Sequence, residues 1–162
     1  METVDQITFI LTLIAALTCG LIGGIFYPFS TFVMKALRRL PAEAGIAAMQ
    51  TINITVITPW FLAPFLLAAV ACIAVMAAAL LRWHEPDSLF LLSGGALYLI
   101  GSFLVTFMFN VPRNEVLAAV APADTDSAAY WAEYLSNWTF WNHIRTAAAL
   151  AAAALLIIAL VY

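Results

Sequence analysis

The residues best suited to chemistry lie in one stretch near the carboxyl end, residues 138–146, which reads Trp-Thr-Phe-Trp-Asn-His-Ile-Arg-Thr. It is followed by residues 147–162, which carry no charge. Polar side chains at membrane depth are costly and usually face a partner or a water-filled cavity. At helical spacing they form two neighbouring stripes, Trp138, Asn142 and Arg145 on one and Thr139, His143 and Thr146 on the next. We therefore expect the other helices to assemble around this stretch.

A second polar group lies at residues 110–115. Asn110 and Asn114 are four residues apart, so both point the same way if Pro112 starts a helix, and Glu115 lies beside them. If this segment folds back over the start of the last helix, it brings six side chains together: Asn110, Asn114, Glu115, Asn142, His143 and Arg145.

These residue types predict the following roles. His143 would be a general base or a metal ligand, because imidazole titrates near neutral pH. Glu115 would be a second metal ligand or would pair with Arg145. The side-chain oxygen or nitrogen of Asn142 and Asn114 would orient a phenol or enolate oxygen, and Arg145 would stabilise a developing oxyanion. We assign the two remaining pocket amides, Asn110 and Asn53, to cofactor binding.

Structural roles remain open for the same residues. Glu115 could form an ion pair with Arg145 or Arg113, because charges at membrane depth need partners. Asn142 and Asn53 could each cap a helix, and His143 could be a packed, hydrogen-bonded histidine. One imidazole does not make a strong metal site, so a metal would need further oxygen ligands or ligands from a second subunit.

The composition is that of an integral membrane protein. Of the 162 residues, 65% are hydrophobic and only 9% are charged, whereas a soluble domain carries about 25% charged residues. The net charge of −3 forms no basic patch, which excludes nucleic acid as a partner. Cys19 and Cys72 lie in apolar runs, so we expect buried free thiols.

The apolar runs predict a single all-α domain over residues 1–162, a membrane four-helix bundle with the lipid bilayer as its partner. The spans are expected near residues 7–34, 53–81, 88–109 and 140–162. Short interfacial helices are expected in loops one and three, the last of them capped by Asp126 or Ser127.

The basic residues predict the orientation. Of the six Lys and Arg residues, only Arg82 lies on the other side. Loops one and three hold the other five: Lys35, Arg38, Arg39, Arg113 and Arg145. The positive-inside rule places these loops in the cytoplasm and both termini outside. Gly20 and Gly24 favour close helix packing, within one subunit or in a homo-oligomer.

Four short stretches, in this order and spacing, resemble the anthrone oxygenase-like family of small four-helix membrane proteins: residues 24–30 (GIFYPFS), 49–53 (MQTIN), 110–115 (NVPRNE) and 138–146 (WTFWNHIRT). The resemblance covers nearly the whole chain. Arg113 departs from it, since an apolar residue is expected between Pro112 and Asn114.

The resemblance implies a membrane oxidoreductase that uses oxygen to oxidise a lipophilic aromatic substrate of the anthrone or quinol type. It also implies a bacterial inner-membrane location and an association with copper. The alternative is a non-catalytic membrane protein, either a small-solute carrier or a structural subunit. A carrier usually shows paired broken helices from an internal repeat, and no repeat is evident in this sequence.

Overall fold

The computed structural model describes residues 3–124 and 127–162, with side chains from residue 5 onwards. Its α-helices are α1 (Thr3–Pro28), α2 (Met34–Arg38), α3 (Ala42–Thr55), α4 (Pro59–Leu81), α5 (Ser88–Ala96), α6 (Val111–Ala118) and α7 (Ser127–Ala159). Wider π-helical turns form π1 (Phe29–Val33), π2 (Leu97–Leu104) and π3 (Thr106–Asn110).

Four helical stretches in the described part of the chain are long and apolar enough to cross a bilayer: Asp5–Arg38, Pro59–Leu81, Ser88–Ala118 and Ser127–Ala159. A spanning helix needs about 20 predominantly apolar residues, and each of these stretches meets that length. The all-α membrane bundle predicted from the sequence is confirmed.

The second span begins later than the sequence suggested, at Pro59 instead of near residue 53. Thr58 is extended and Pro59 occupies the first turn of α4, where a proline needs no hydrogen-bond donor. Asn53 consequently belongs to α3 and lies two residues before its end at Thr55. It does not cap α4.

The third span is longer than predicted and runs to Ala118. In a regular α-helix a proline ring clashes with the carbonyl four residues earlier, so Pro112 was expected to begin a new helix. The wide turns of π3 come directly before α6, and the helix continues through Pro112. Asn110 and Asn114 therefore lie on one long helical stretch.

The fourth span is also longer, because the expected interfacial helix and the last membrane helix are one helix, α7. No glycine or proline interrupts residues 127–159. Of the two expected caps, Asp126 lies outside the described residues. Ser127 starts the helix, and its hydroxyl donates a hydrogen bond to the Pro122 carbonyl at 3.0 Å.

The bundle has two hydrophobic cores. One lies among the four spans and includes Phe26, Phe65 and Tyr98. The other lies at the end where α2, α3 and α6 meet the first half of α7, and it includes Met49 and Trp138. Polar side chains of α7 lie where the two cores meet.

Small residues allow the spans to approach closely. A Cβ atom at Gly23 would lie 2.7 Å from the Leu150 side chain, so α1 and α7 are in near contact there. A Cβ atom at Gly24 would meet nothing within 4 Å, and Gly24 faces outward. Packing inside one subunit thus accounts for Gly23, and a homo-oligomer remains a proposal.

Candidate active site

The centre of the site is Arg145, a guanidinium buried in the middle of the bundle with 6% of its surface exposed. Its Nε donates a hydrogen bond to Asn142 Oδ1 at 2.9 Å, and one terminal nitrogen donates to Thr106 Oγ1 at 3.4 Å. Its central carbon lies 3.8 Å from the centre of the Phe26 ring and 5.0 Å from that of Trp138. Two aromatic faces therefore hold the cation in place.

Arg145 forms no ion pair in the described part of the chain. The ion pairs found there join Arg82 to Asp5 and to Asp87. A guanidinium has five N–H donors, and two of those on Arg145 are used by the hydrogen bonds above. The remaining donors and the full charge are available to a ligand. The predicted ion pair between Glu115 and Arg145 or Arg113 is not formed. Arg113 donates instead to the Phe109 carbonyl at 2.7 Å.

Asn142 holds Arg145 from behind. It is fully buried, and its Nδ2 donates to the Phe26 carbonyl at 3.0 Å and to Ser30 Oγ at 2.7 Å. The Ser30 hydroxyl also lies 3.2 Å from that of Thr146. Asn142 is interior to α7 and does not cap it; its amide links α7 to α1 and orients the guanidinium.

Asn114 and Asn110 both form hydrogen bonds with Trp138. Asn114 Oδ1 accepts hydrogen bonds from the Trp138 indole N–H at 2.8 Å and from the Tyr134 hydroxyl at 2.9 Å. Asn110 Nδ2 donates to the Trp138 carbonyl at 3.2 Å. Asn114 therefore fixes the indole that lies beside Arg145, and Asn110 holds the Trp138 backbone.

A small cavity of about 90 Å³ lies in front of Arg145. Its wall is largely apolar and aromatic, and it includes Phe26, Phe29, Phe61 and Trp138. Polar side chains at the wall are few: Asn53, Thr106, Asn114 and Arg145. These residue types suit an aromatic, lipophilic group that carries an oxygen able to accept from the guanidinium.

A groove of about 350 Å³ adjoins this cavity and runs between α3 and α6. Cavity and groove share four wall residues, Asn53, Ile57, Val111 and Asn114. The groove adds Gln50 and Glu115 to its lining, and Gln50 Nε2 donates to the carbonyls of Leu117 and Val120 at 2.8 and 2.9 Å. Gln50 therefore ties α3 to the end of α6.

The structure brings together only part of the group predicted from the sequence. Arg145 and Asn114 line the cavity, Asn142 lies behind Arg145, and Glu115 lines the adjoining groove. Asn53 lines both spaces, whereas Asn110 is fully buried behind Trp138.

His143 is exposed on the outer face of α7 and is not part of the cavity wall. The physical reason is helical geometry, since one residue turns the chain by about 100° and Asn142 faces the bundle. The second predicted stripe therefore divides: Thr146 is buried and His143 is not. His143 is neither a packed histidine nor placed to act on a ligand in the cavity.

The side chains that the structure describes do not fit a copper centre. The described residues contain no group of three or more His, Cys, Asp or Glu side chains placed to hold a metal ion. Glu115 and His143, the two predicted ligands, are both exposed and lie on α6 and α7. We therefore derive no chemical step through a metal.

The sequence did not lead us to a site role for Phe26 or Thr106. Thr106 is one of few polar residues in the third span, and Phe26 lies in the stretch that resembles the family. Phe61 follows Trp60, and this aromatic pair fits either an interface anchor or a pocket wall. In the structure Phe61 lines the cavity, because α4 packs against α1 and its ring lies 6.2 Å from that of Phe26.

A larger open pocket of about 470 Å³ lies at the opposite end of the bundle, beside the chain ends. Its charged side chains include Arg82, which is 3.3 Å from Asp5 and 3.7 Å from Asp87. None of the site residues predicted from the sequence lines it, so the Arg145 cavity is the candidate site.

A family model described as anthrone oxygenase matches residues 55–155, more than half of the chain. The matched stretch contains Asn114, Trp138, Asn142 and Arg145, while Phe26, Ser30 and Asn53 precede it. No curated protein and no solved structure matches the chain.

Proposed function

Because the chain belongs to the anthrone oxygenase family, we propose that it is a membrane oxidoreductase that oxidises an anthrone- or quinol-like substrate with molecular oxygen. Four long apolar helices fit an integral membrane protein, so a lipophilic substrate can reach the groove from the bilayer. We further propose a bacterial inner-membrane location, with loops one and three in the cytoplasm.

The observation that carries the proposal is the buried Arg145 guanidinium, which has no carboxylate partner among the described residues and faces an aromatic cavity. A charge at this depth is costly unless it is used or paired. An anthrone that loses a ring proton becomes an enolate with a negatively charged oxygen. Preorganised donors that face such an oxygen stabilise the charge as it develops.

The overall reaction balances without an external reductant. Anthrone and O₂ give anthraquinone and water, so one oxygen atom enters the ring as a ketone and the other leaves in water. The two C–H bonds at the ring methylene break, and the substrate supplies all the electrons. In this scheme Arg145 holds the enolate oxygen while the opposite ring carbon reacts with oxygen.

A base must take the first ring proton. Glu115 supplies the one carboxylate among the described residues that line the cavity or the groove. The methylene of an anthrone lies across the central ring from its ketone. A substrate with its ketone at Arg145 therefore directs its methylene away from the guanidinium, and we assign proton removal to Glu115 in the groove.

Oxygen uptake by detergent-purified protein with anthrone tests this proposal, with anthraquinone and water measured as products. We expect Arg145→Met to lower kcat/KM by about 100-fold or more, because it removes the donors for the enolate. Arg145→Lys keeps the charge and is expected to retain part of the activity. Circular dichroism confirms that each variant folds.

Uptake by the parent protein that equals the rate in empty detergent would argue against an oxygenase. Equal uptake by the parent and a folded Arg145→Met variant would remove the guanidinium from the mechanism. His143→Ala is the matched control, since it changes the same helix outside the cavity.

A further inference from the structure

We propose that Asn53 selects ligands that carry a second oxygen, and that it does so where the groove between α3 and α6 opens into the Arg145 cavity. The inference rests on the proposed function and concerns the same cavity. It assigns Asn53 to recognition of the ligand, where it would determine specificity, and not to a cofactor.

Asn53 is placed at the boundary between the two spaces, since it lines both of them. Its Nδ2 is buried and has no acceptor in good hydrogen-bond geometry, although the amide and the Tyr134 hydroxyl interact. An amide nitrogen carries two hydrogens. Even a long contact with Tyr134 would leave one of them for a ligand.

A buried donor without an acceptor is destabilising, so its presence at a cavity wall calls for an explanation. The neighbouring wall residues Ile52, Val56 and Ile57 offer no side-chain acceptor. A ligand oxygen in the cavity would satisfy the donor.

The other buried side-chain atoms without partners do not line this cavity. They are Asp87 Oδ1, Ser102 Oγ, Asn110 Oδ1 and Thr139 Oγ1. Asn53 is therefore the unsatisfied buried donor that a ligand in the cavity can reach, among the residues that the structure describes.

Two different donors thus face one space. Arg145 is charged and suits an oxygen that becomes anionic, whereas the Asn53 amide is neutral and suits a ketone, phenol or ether oxygen. The ligand chemistry that fits both is an aromatic ring system with one acidic oxygen and a second, neutral oxygen on its rim.

Anaerobic binding tests this inference, because binding is measured without turnover. The probes are anthrone, which has one oxygen, and two hydroxylated anthrones, with the hydroxyl beside the ketone in one and on an outer ring position in the other. The proteins are the parent, Asn53→Leu and the shape control Ile57→Leu, since Ile57 lines the same two spaces.

We expect the parent to bind at least one hydroxyanthrone about fivefold to tenfold more tightly than anthrone, the effect of one hydrogen bond. Asn53→Leu should abolish that preference. It should leave the affinity for anthrone within about twofold of the parent's, because anthrone lacks the oxygen that would accept from Asn53. Ile57→Leu should retain the preference. If Asn53→Leu does not fold, Asn53→Ala takes its place, because it removes the donor without adding a charge.

A parent without preference overturns the inference, as does an Asn53 variant that keeps the preference or weakens all three ligands equally. A parent that binds none of the three ligands contradicts the proposed function itself. The two failures are therefore distinguishable.

Discussion

The sharpest test of the site places a negative charge beside Arg145 and leaves Arg145 itself unchanged. Asn142 Oδ1 accepts from Arg145 Nε at 2.9 Å, so Asn142→Asp puts a carboxylate of nearly the same shape against the guanidinium. The new ion pair neutralises the charge that we assign to the enolate. We expect the variant to fold and to lose oxygenation.

The magnitude follows from the geometry. Two unit charges about 4 Å apart interact by roughly 4 kcal/mol at an effective dielectric constant near 20. The new carboxylate repels the ligand oxyanion while it attracts the guanidinium. Since removing one oxyanion donor lowers turnover by about 10²–10³, we expect kcat/KM with anthrone to fall by a factor in that range.

Oxygen uptake and anaerobic anthrone binding are measured together, with thermal unfolding in detergent. Unfolding matters because Asn142 Nδ2, which lies 3.0 Å from the Phe26 carbonyl, becomes an acceptor. Ser30→Ala is the control, since it removes the 2.7 Å hydrogen bond to Asn142 without adding charge. It should lower activity by about tenfold at most, the range of one hydrogen bond.

A folded Asn142→Asp variant with activity within about threefold of the parent, well below the expected electrostatic effect, would refute the reasoning. The charge of Arg145 would then have no role in holding the substrate oxygen. The aromatic lining of the cavity would still favour a lipophilic ligand, but no residue would be assigned to hold the substrate oxygen.

Three further predictions follow from the placement of single residues. His143→Ala should leave oxygen uptake unchanged, because His143 is exposed outside the cavity; a large loss would restore it to the mechanism. Asn114→Leu should lower the free energy of unfolding by about 2–4 kcal/mol, because it leaves the Tyr134 and Trp138 donors without their acceptor. Thermal or denaturant unfolding measures the loss, and an unchanged midpoint would contradict the prediction. Arg39→Cys should react with a membrane-impermeant maleimide only when the cytoplasmic face is accessible, and labelling in intact cells would reverse the proposed orientation.

Several features of the site followed from local pattern alone. The stripe of Trp138, Asn142 and Arg145 was expected to face the other helices, and all three residues are buried. Helical spacing also predicted that Asn110 and Asn114 would point the same way, and both contact Trp138. These predictions depend only on the angle per residue along one helix.

Other features depended on neighbours far away in the chain. Two partners of Arg145, Phe26 and Thr106, come from α1 and π3, and no spacing rule links these positions to α7. The boundary of the third span was missed for a similar reason. The π turns come directly before Pro112, and the spacing of residues along the chain does not predict them.

The amino-acid sequence by itself determined that this chain is a helical membrane protein and which face of its last helix is polar, because composition and helical period are properties of neighbouring residues. The tertiary structure decided which polar residues share a cavity. It separated His143 from Asn142, left Arg145 without a carboxylate among the described residues, and placed Asn53 at the cavity wall. The reason is that a side chain's partners depend on how each helix is rotated and packed against the others.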